Sequence, residues 1–185
     1  MKVISTALPD VLLITPDVYG DARGFFMESW NWERYQKIGI ATQFVQDNLS
    51  FSAKGVLRGL HFQYPFGQGK LVSCLIGEVY DVAVDIRRHS PFFGQWVGVF
   101  LSAENHQQLY IPPGFAHGFC VTSDTALFSY KCTELYHPET EGSVAWDDPA
   151  LAIPWPVTEP SLSRKDLAGV PLKDLDLTRL PAYEC

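Results

Sequence analysis

The central part of the chain is a succession of short strand-like runs, and no other feature constrains the fold as strongly. Between residues 70 and 133, mainly apolar runs alternate with breaks at Gly, Pro, Asn or Ser-Asp, and they cover residues 70–75, 78–86, 95–101, 108–111, 115–121 and 126–133. Earlier runs of the same kind cover residues 11–16, 25–30, 44–48, 50–52 and 55–63. Eight or more runs at such short spacing indicate an antiparallel sandwich or barrel. We therefore expect an all-β fold.

Two short peripheral helices interrupt this pattern. Asn31 is a suitable N-cap for residues 32–38, which end before a glycine. Near the C-terminus, Ser161 or Ser163 is placed to cap residues 164–168. The helices are too short to form a layer of their own, so we expect them at the edge of the strands.

The overall composition favours one soluble globular domain over residues 1–185. With 185 residues and 46% apolar content, the chain can fill one sizeable core, on which the C-terminal tail is expected to pack. A formal charge of −7 argues against a general nucleic-acid or membrane-surface role, because both need exposed Lys and Arg. The four cysteines, none in CxxC spacing, and the lack of a signal-peptide pattern lead us to expect a reducing cytoplasm.

The run over residues 55–63 carries charged side chains in an apolar setting. Strict alternation along a strand places Arg58 and His61 on opposite faces. Gly59 lies between them, however, and glycine inside a strand often marks a bulge. We predict a bulge at Gly59 that turns both side chains inward. Taken singly, His61 also fits a hydrogen-bonded core histidine, and Arg58 fits a rim ion pair.

A second unusual histidine follows a Pro-Pro-Gly turn. If residues 115–121 alternate regularly, Phe115, His117 and Phe119 share one face, which gives an apolar floor around one polar group. The same counting puts Phe128 and Tyr130 on one face of the next strand, so Tyr130 is expected to look into the same interior. The simpler alternative for both His117 and Tyr130 is a core residue with its polar atom satisfied.

The segment 79–86 alternates between apolar residues and the carboxylates Asp81 and Asp85. Two internal carboxylates are compatible with acid–base chemistry or a metal, but solvated outward acids are the interpretation that alternation favours. We therefore predict that Asp81 and Asp85 face solvent.

Histidines on two strands of a jelly roll raise the question of a metal site. The residue two after His61 is Gln63, and no glutamate follows at a convenient distance, so the set His61, Gln63 and His117 is short of ligands for zinc or iron. There is no G-x-S-x-G elbow, no Walker A loop and no G-x-G-x-x-G pattern. Metal, serine-hydrolase and dinucleotide chemistry are thus disfavoured.

The remaining polar set suits proton abstraction beside a carbonyl. His61 supplies a base with a pKa near neutrality, and Lys70 supplies a cation for the developing enolate. A tyrosine across the cavity, Tyr130, can return a proton to the opposite face of the carbon. Arg23 and Arg58 suit an anionic handle such as a diphosphate, because the guanidinium fork matches phosphate oxygens.

At the level of ordered motifs the chain resembles the dTDP-4-dehydrorhamnose 3,5-epimerases, a cupin-type family of deoxysugar nucleotide enzymes. The resemblance covers nearly the whole chain and rests on GD at 20–21, RGFF at 23–26, VQDN at 45–48, GVLRGLHFQ at 55–63, QGKLV at 68–72, GEVYDVAVDIR at 77–87, SP at 90–91, FG at 93–94, IP at 111–112, GFAHGF at 114–119 and EGS at 141–143. It implies an antiparallel jelly-roll (cupin-like) barrel that converts dTDP-4-dehydro-6-deoxy-glucose to dTDP-4-dehydro-rhamnose without a cofactor.

The resemblance also implies roles for individual residues. His61 corresponds to the base, Asp166 to the group that orients it, Tyr130 to the opposing proton donor and Lys70 to the enolate-stabilising cation. For Asp166, an acid on the surface of the helix is a nearly equal alternative. The positions that line the nucleotide-sugar site in the family are matched by Arg23, Glu28, Gln46, Asp47, Asn48, Arg58, His117, Glu141 and Lys165.

Further implications concern the nucleobase and the partner chain. Tyr136 matches the aromatic residue that stacks on thymine, and Tyr19 stands where the family has an aromatic. The family is homodimeric and exchanges N-terminal strands, so Tyr19 and Arg23 are expected to complete the partner's site. Two positions depart from the family pattern: Ser73 replaces an arginine and Leu135 replaces a tyrosine.

Besides the disfavoured metal-dependent cupin, two related or rival functions stay open at this point. The first is an epimerase that acts at C3 or C5 alone or on another deoxysugar nucleotide. The second is a non-catalytic cupin that binds a sugar nucleotide.

Overall fold

The computed structural model describes residues 1–183, which form thirteen strands and two short α-helices. The elements are β1 Lys2–Ser5, β2 Leu12–Thr15, β3 Val18–Asp21, β4 Gly24–Met27, α1 Trp32–Gln36, β5 Gln46–Ala53, β6 Leu57–Gln63, β7 Lys70–Ile76, β8 Glu78–Asp85, β9 Trp96–Ser102, β10 Gln108–Ile111, β11 Phe115–Val121, β12 Thr125–Cys132, β13 Glu141–Ser143 and α2 Arg164–Leu167. Three 3₁₀ turns cover Pro138–Thr140, Leu172–Asp174 and Leu177–Arg179.

The strands build two antiparallel sheets that face each other, as in a jelly roll. One sheet has six strands in the order β1-β2-β10-β7-β12-β5, and the other has five in the order β13-β6-β11-β8-β9. Strands β3 and β4 form a separate hairpin. The expected all-β antiparallel jelly roll with short peripheral helices is confirmed.

The main core lies between the two sheets. Val72, Leu109 and Phe128 of the six-stranded sheet pack with Ala83 and Phe119 of the five-stranded sheet, and all are buried. The inward faces of β7, β11 and β12 therefore also carry the alternate residues Lys70, His117 and Tyr130 toward the space between the sheets.

A second core covers the outer face of the five-stranded sheet. Tyr80, Val82 and Val84 of β8 pack there against Leu172 and Leu180 of the C-terminal segment. That segment also forms isolated bridges, Arg88↔Ala182 and Val144↔Val170, with the chain just after β8 and just after β13. Strand β8 is consequently covered on both faces.

This double coverage makes the expectation of solvent-facing acids on β8 wrong. Asp81 and Asp85 are both fully buried. Asp85 is paired with Arg87, whose Nη2 lies 2.6 Å from Oδ2, and it also accepts a hydrogen bond from Ser90. Asp81 Oδ2 lies 2.8 Å from His117 Nε2. Alternation along β8 correctly put Asp81 and Asp85 on one face of the strand, but that face points between the two sheets and not into solvent.

The ends of the helices are capped as predicted. The Asn31 side chain accepts a hydrogen bond from the Arg34 N–H at the start of α1. Ser163 begins α2 with a capping box, in which its hydroxyl and the Asp166 carboxylate bond to each other's backbone N–H groups. The capping box fixes the position of Asp166 relative to the chain that precedes α2.

The part of the chain that the structure describes contains no helix long and apolar enough to cross a membrane. Cys74, Cys120 and Cys132 are buried free thiols, and Cys185 lies outside the described residues.

Candidate active site

A cavity of about 390 Å³ opens between the sheets near the end of the barrel that β5, β6, β7, β11 and β12 share. Most of the residues named from the sequence line it: Gln46, Asn48, Arg58, His61, Lys70, His117, Tyr130, Tyr136, Glu141, Lys165 and Asp166. All four predicted catalytic side chains are therefore in one cavity.

Strand β6 reaches this cavity with two side chains because it contains a bulge. His61 pairs with His117 and Arg58 pairs with Phe119, so three steps along β6 match two steps along β11. Gly59 has φ +119°, and a Cβ at this position would lie 2.5 Å from the Gly118 Cα. Only glycine fits there. The predicted bulge at Gly59 is confirmed, since Arg58 and His61 both line the cavity.

Asp166 lies against His61 at the floor of the cavity. The His61 Nε2 and Asp166 Oδ1 atoms are 2.8 Å apart, and Asp166 is 3% exposed. The same Oδ1 accepts a hydrogen bond of 2.9 Å from the Gly59 N–H, and Oδ2 accepts one of 2.6 Å from the Ser163 hydroxyl. Asp166 is therefore a buried residue of the site and not an acid on the surface of α2.

Hydrogen bonds keep this carboxylate ionised. Burial disfavours the charged form of Asp166, but the hydrogen bonds from Ser163 and Gly59, with the nearby His61, outweigh burial and lower its pKa. The His61 ring contacts Oδ1 without a well-aligned hydrogen bond at Nε2. Asp166 therefore lies in contact with the ring, and its own position is fixed by the Gly59 and Ser163 N–H groups and the Ser163 hydroxyl.

His61 itself is a free base over a wide pH range. Burial, together with the positive charges of Lys165 and Lys70, lowers the pKa of His61 to about 4, although Asp166 acts in the opposite direction. Among the described residues, the buried Nε2 of the ring makes no well-aligned hydrogen bond. A neutral imidazole with an unengaged nitrogen in a cavity has the form that a general base requires.

The two other candidate catalytic groups lie on the opposite sheet. Burial raises the pKa of the Tyr130 phenol, so the hydroxyl keeps its proton at neutral pH. Burial also lowers the pKa of Lys70. A base on the five-stranded sheet thus faces a protonated tyrosine and a lysine on the six-stranded sheet, with the cavity between them.

The His117 side chain lines the cavity from β11, on the strand next to the base. It is 7% exposed, and its Nε2 lies 2.8 Å from Oδ2 of the fully buried Asp81. The ring also lies nearly parallel to Phe128, with 6.2 Å between ring centroids. His117 therefore lines the cavity in a fixed orientation. This fits both predictions made from the sequence, a polar group in a ligand site and a core histidine with its polar atom satisfied.

At the cavity mouth three residues form a connected group. The Tyr136 hydroxyl donates to Glu141 Oε2 at 2.9 Å, and the Lys165 ammonium pairs with Glu141 Oε1. Lys165 Nζ also lies 5.9 Å from the centroid of the Tyr136 ring. The Tyr136 backbone N–H donates to Gln46, which donates to Asn48, so the aromatic ring at the mouth is tied to β5.

Four of the residues named from the sequence lie outside this cavity in one chain. Tyr19 is 64% exposed on the β3–β4 hairpin, and Arg23 pairs with Asp21 beside it. Glu28 is paired with Arg34, and Asp47 points away from its neighbours Gln46 and Asn48 to pair with Lys131. One chain alone does not bring these side chains to the others.

Gln63 stabilises the loop around Tyr136 through hydrogen bonds of its side-chain amide. Its amide nitrogen donates to the Phe66 and Leu135 carbonyls, and its amide oxygen accepts from the His137 N–H, so it holds the loop that carries Tyr136. Within residues 1–183, no group of three or more His, Cys, Asp or Glu side chains is arranged to bind a metal ion.

Sequence reasoning missed several lining residues, among them Ser50, Gln68 and Ser163, whereas Phe119 was expected on the face of His117. Alternation along β5, which turns Gln46, Asn48 and Ser50 to one face, was a signal for Ser50. The Ser163-x-x-Asp166 spacing was a capping-box signal for Ser163.

Comparisons with known proteins point to one enzyme family. A family model described as dTDP-4-dehydrorhamnose 3,5-epimerase matches residues 5–174. The dTDP-4-dehydrorhamnose 3,5-epimerase of Salmonella typhimurium is 59% identical over 177 residues, which cover 94% of this chain and 96% of that protein. The enzyme of the same name from Shigella flexneri is 57% identical over 178 residues, covering 95% and 98%.

The solved structures include a close match. The dTDP-6-deoxy-D-glucose-3,5-epimerase of Legionella pneumophila, in complex with dTDP-4-keto-L-rhamnose, superimposes with a TM-score of 0.97 at 55% identity. The match covers 100% of this chain and 99% of that one.

Proposed function

This chain belongs to the dTDP-4-dehydrorhamnose 3,5-epimerase family, and from this we propose that it converts dTDP-4-dehydro-6-deoxy-glucose to dTDP-4-dehydro-rhamnose. The reaction inverts C3 and C5, the two carbons that flank the C4 carbonyl. The observation that carries the proposal is the neutral His61 held against buried Asp166, in one cavity with Lys70 and Tyr130.

His61 takes the proton from the carbon next to the carbonyl. Such a proton is acidic only if the resulting negative charge is stabilised as it moves onto the carbonyl oxygen. Lys70 supplies that stabilisation as an ammonium group that lines the same cavity. Asp166 stabilises the imidazolium that His61 becomes, and it keeps the ring in place for the second carbon.

Tyr130 returns a proton from the other side. Inversion needs the new C–H bond to form on the face opposite to the one that lost its proton. His61 and Tyr130 come from opposite sheets, and the raised pKa of Tyr130 keeps a proton available for donation. The carbon thus loses its proton to His61 on one face, and the planar enolate that results takes a proton from Tyr130 on the other face.

The rest of the cavity suits a nucleoside diphosphate. Arg58 offers a guanidinium to the diphosphate, and Tyr136 offers a ring at the mouth on which thymine stacks. We assign further substrate contacts to Gln46, Asn48, His117, Glu141 and Lys165, all of which line the cavity. Glu28 and Asp47 stay predictions, because each is engaged by a basic side chain in one chain.

We further propose a homodimer in which the partner's β3–β4 hairpin completes the site. Four hairpin side chains support this: Tyr19, Phe25 and Phe26 are each more than 60% exposed, and Arg23 points into solvent beside them. Such an exposed aromatic group needs a covering surface. The proposed compartment is the cytoplasm, where the buried free thiols of Cys74, Cys120 and Cys132 stay reduced.

Deuterium exchange tests the reaction directly. The protein is incubated with dTDP-4-dehydro-6-deoxy-glucose in deuterium oxide, and the product is examined by NMR. Deuterium at both C3 and C5 with inverted configuration is expected. Incorporation at one carbon alone identifies a mono-epimerase, and intact substrate without deuterium contradicts enzymatic function.

The non-catalytic alternative is separated by His61→Ala. A binding protein has no turnover to lose, whereas removal of a general base lowers kcat by about 10²- to 10⁴-fold with little change in ligand affinity. Calorimetric titration with dTDP provides the affinity for both proteins.

A further inference from the structure

Arg58 is held in the cavity by an uncharged partner. Its Nε and Nη2 atoms donate to the Ser52 hydroxyl at 3.3 and 3.1 Å. Within residues 1–183 the guanidinium has no carboxylate partner, and Nη1 makes no hydrogen bond. The arginine is therefore fixed along one edge and open along the other.

The other arginines with described partners are treated differently. Arg23 pairs with Asp21, Arg34 pairs with Glu28, and Arg87 pairs with both Asp10 and Asp85. A carboxylate orients a guanidinium but also neutralises it. A hydroxyl accepts the same hydrogen bonds without adding negative charge, so Arg58 presents its full charge to the cavity.

Ser52 is itself well fixed. It is 5% exposed on the inward face of β5, opposite Ala126 of β12, and it does not line the cavity. Any effect of Ser52 on a ligand must therefore pass through Arg58. An arginine side chain that is already ordered loses less conformational entropy when it binds an anion.

We propose that Ser52 is a positioning residue that holds Arg58 in the orientation that receives a phosphate oxygen of a nucleoside diphosphate. The inference rests on the proposed function, which places the diphosphate of dTDP at Arg58. It adds a residue that none of the motifs singled out, together with a reason for a neutral side chain at this point of β5.

Calorimetric titration of the full chain with dTDP and with thymidine tests the role. Ser52→Ala should weaken dTDP binding about tenfold, because it removes a hydrogen-bond partner of a charged group, and should leave thymidine binding unchanged. Ser52→Asp should weaken dTDP binding more, by about a hundredfold, since the carboxylate neutralises Arg58 and repels phosphate. The control Ser129→Ala, on the outward face of β12, should bind both ligands as the wild type does.

A double-mutant cycle separates positioning from general damage. In the Arg58→Ala background, Ser52→Ala should change dTDP binding by less than about twofold. Equal losses for dTDP and thymidine, or a tenfold loss that persists without Arg58, would overturn the role of Ser52, and so would wild-type dTDP affinity in Ser52→Ala. Circular dichroism melting identifies a misfolded variant; if Ser52→Asp does not fold, the alanine cycle decides.

Different results refute the proposed function and the role of Ser52. A wild-type protein that does not bind dTDP removes the proposed function and this inference with it. Wild-type binding that Ser52→Ala leaves intact refutes the inference alone.

Discussion

Replacing His61 with asparagine should remove a pH dependence of the stability of the fold. The folded protein lowers the pKa of His61 from the ordinary value of 6.5 to about 4, chiefly by burial. The neutral ring is therefore favoured in the folded state. Between pH 6.5 and about 4 the unfolded chain binds a proton at His61 that the folded chain does not, so stability falls as the pH falls through this window.

The size of the effect follows from the same shift. Each pKa unit corresponds to 1.36 kcal/mol, so the shift of His61 amounts to up to about 3 kcal/mol of unfolding free energy between pH 6.5 and 4. Asparagine does not titrate. His61→Asn should therefore lose less stability than the wild type over this range, by up to about 3 kcal/mol.

Urea unfolding at several pH values between 4 and 7.5 measures this difference. The matched control is His89→Asn, which changes an exposed histidine outside the cavity and should keep the wild-type slope. The activity of the wild type provides a second readout: loss of kcat/KM through protonation of His61 should set in near pH 4. An acid limb near pH 6.5, together with the same stability slope in His61→Asn and wild type, refutes the account of a buried neutral base.

Three further substitutions test the supporting parts of the site. Asp166→Asn should lower kcat about 100-fold with little change in KM, because it removes the charge that stabilises protonated His61, and steady-state kinetics measure this split; a change in KM alone contradicts it. Lys70→Met should lower kcat about 10²- to 10³-fold at unchanged dTDP affinity, since it removes the cation that faces the enolate, and activity near the wild-type level argues against that role. Gly59→Ala should destabilise the fold by more than about 3 kcal/mol in urea unfolding, because its Cβ would lie 2.5 Å from the Gly118 Cα; wild-type stability would show that the bulge tolerates a side chain.

Local sequence signals predicted the parts of the site that depend on neighbouring residues. The bulge in β6 follows from a glycine between two polar residues that need the same side, and the start of α2 follows from a serine three residues before an aspartate. Alternation placed His117 with Phe119 and Tyr130 with Phe128 correctly. These features depend on backbone sterics and hydrogen bonds over a few consecutive residues, so they can be predicted from the local sequence.

Features that depend on distant parts of the chain were beyond the same reasoning. Asp81 was expected in solvent because a strand of alternating character usually has one wet face, but the C-terminal segment covers the outer face of β8 and leaves Asp81 between the sheets. The contact of Asp166 with β6 joins residues 107 positions apart at Gly59, and no local pattern encodes it. The family resemblance, rather than the spacing of residues, placed Asp166 beside His61.

The separate roles of His61 as the base and Tyr130 as the proton donor are tested most directly by solvent exchange in Tyr130→Phe. In deuterium oxide this variant should still exchange the substrate hydrogens next to the carbonyl, because His61 removes a proton, exchanges it with the solvent and returns a deuteron to the same face. It should give almost no inverted product. His61→Asn should show neither exchange nor inversion. Inverted product from Tyr130→Phe at the wild-type rate, or undiminished exchange in His61→Asn, would contradict a base and a proton donor on opposite faces of the sugar.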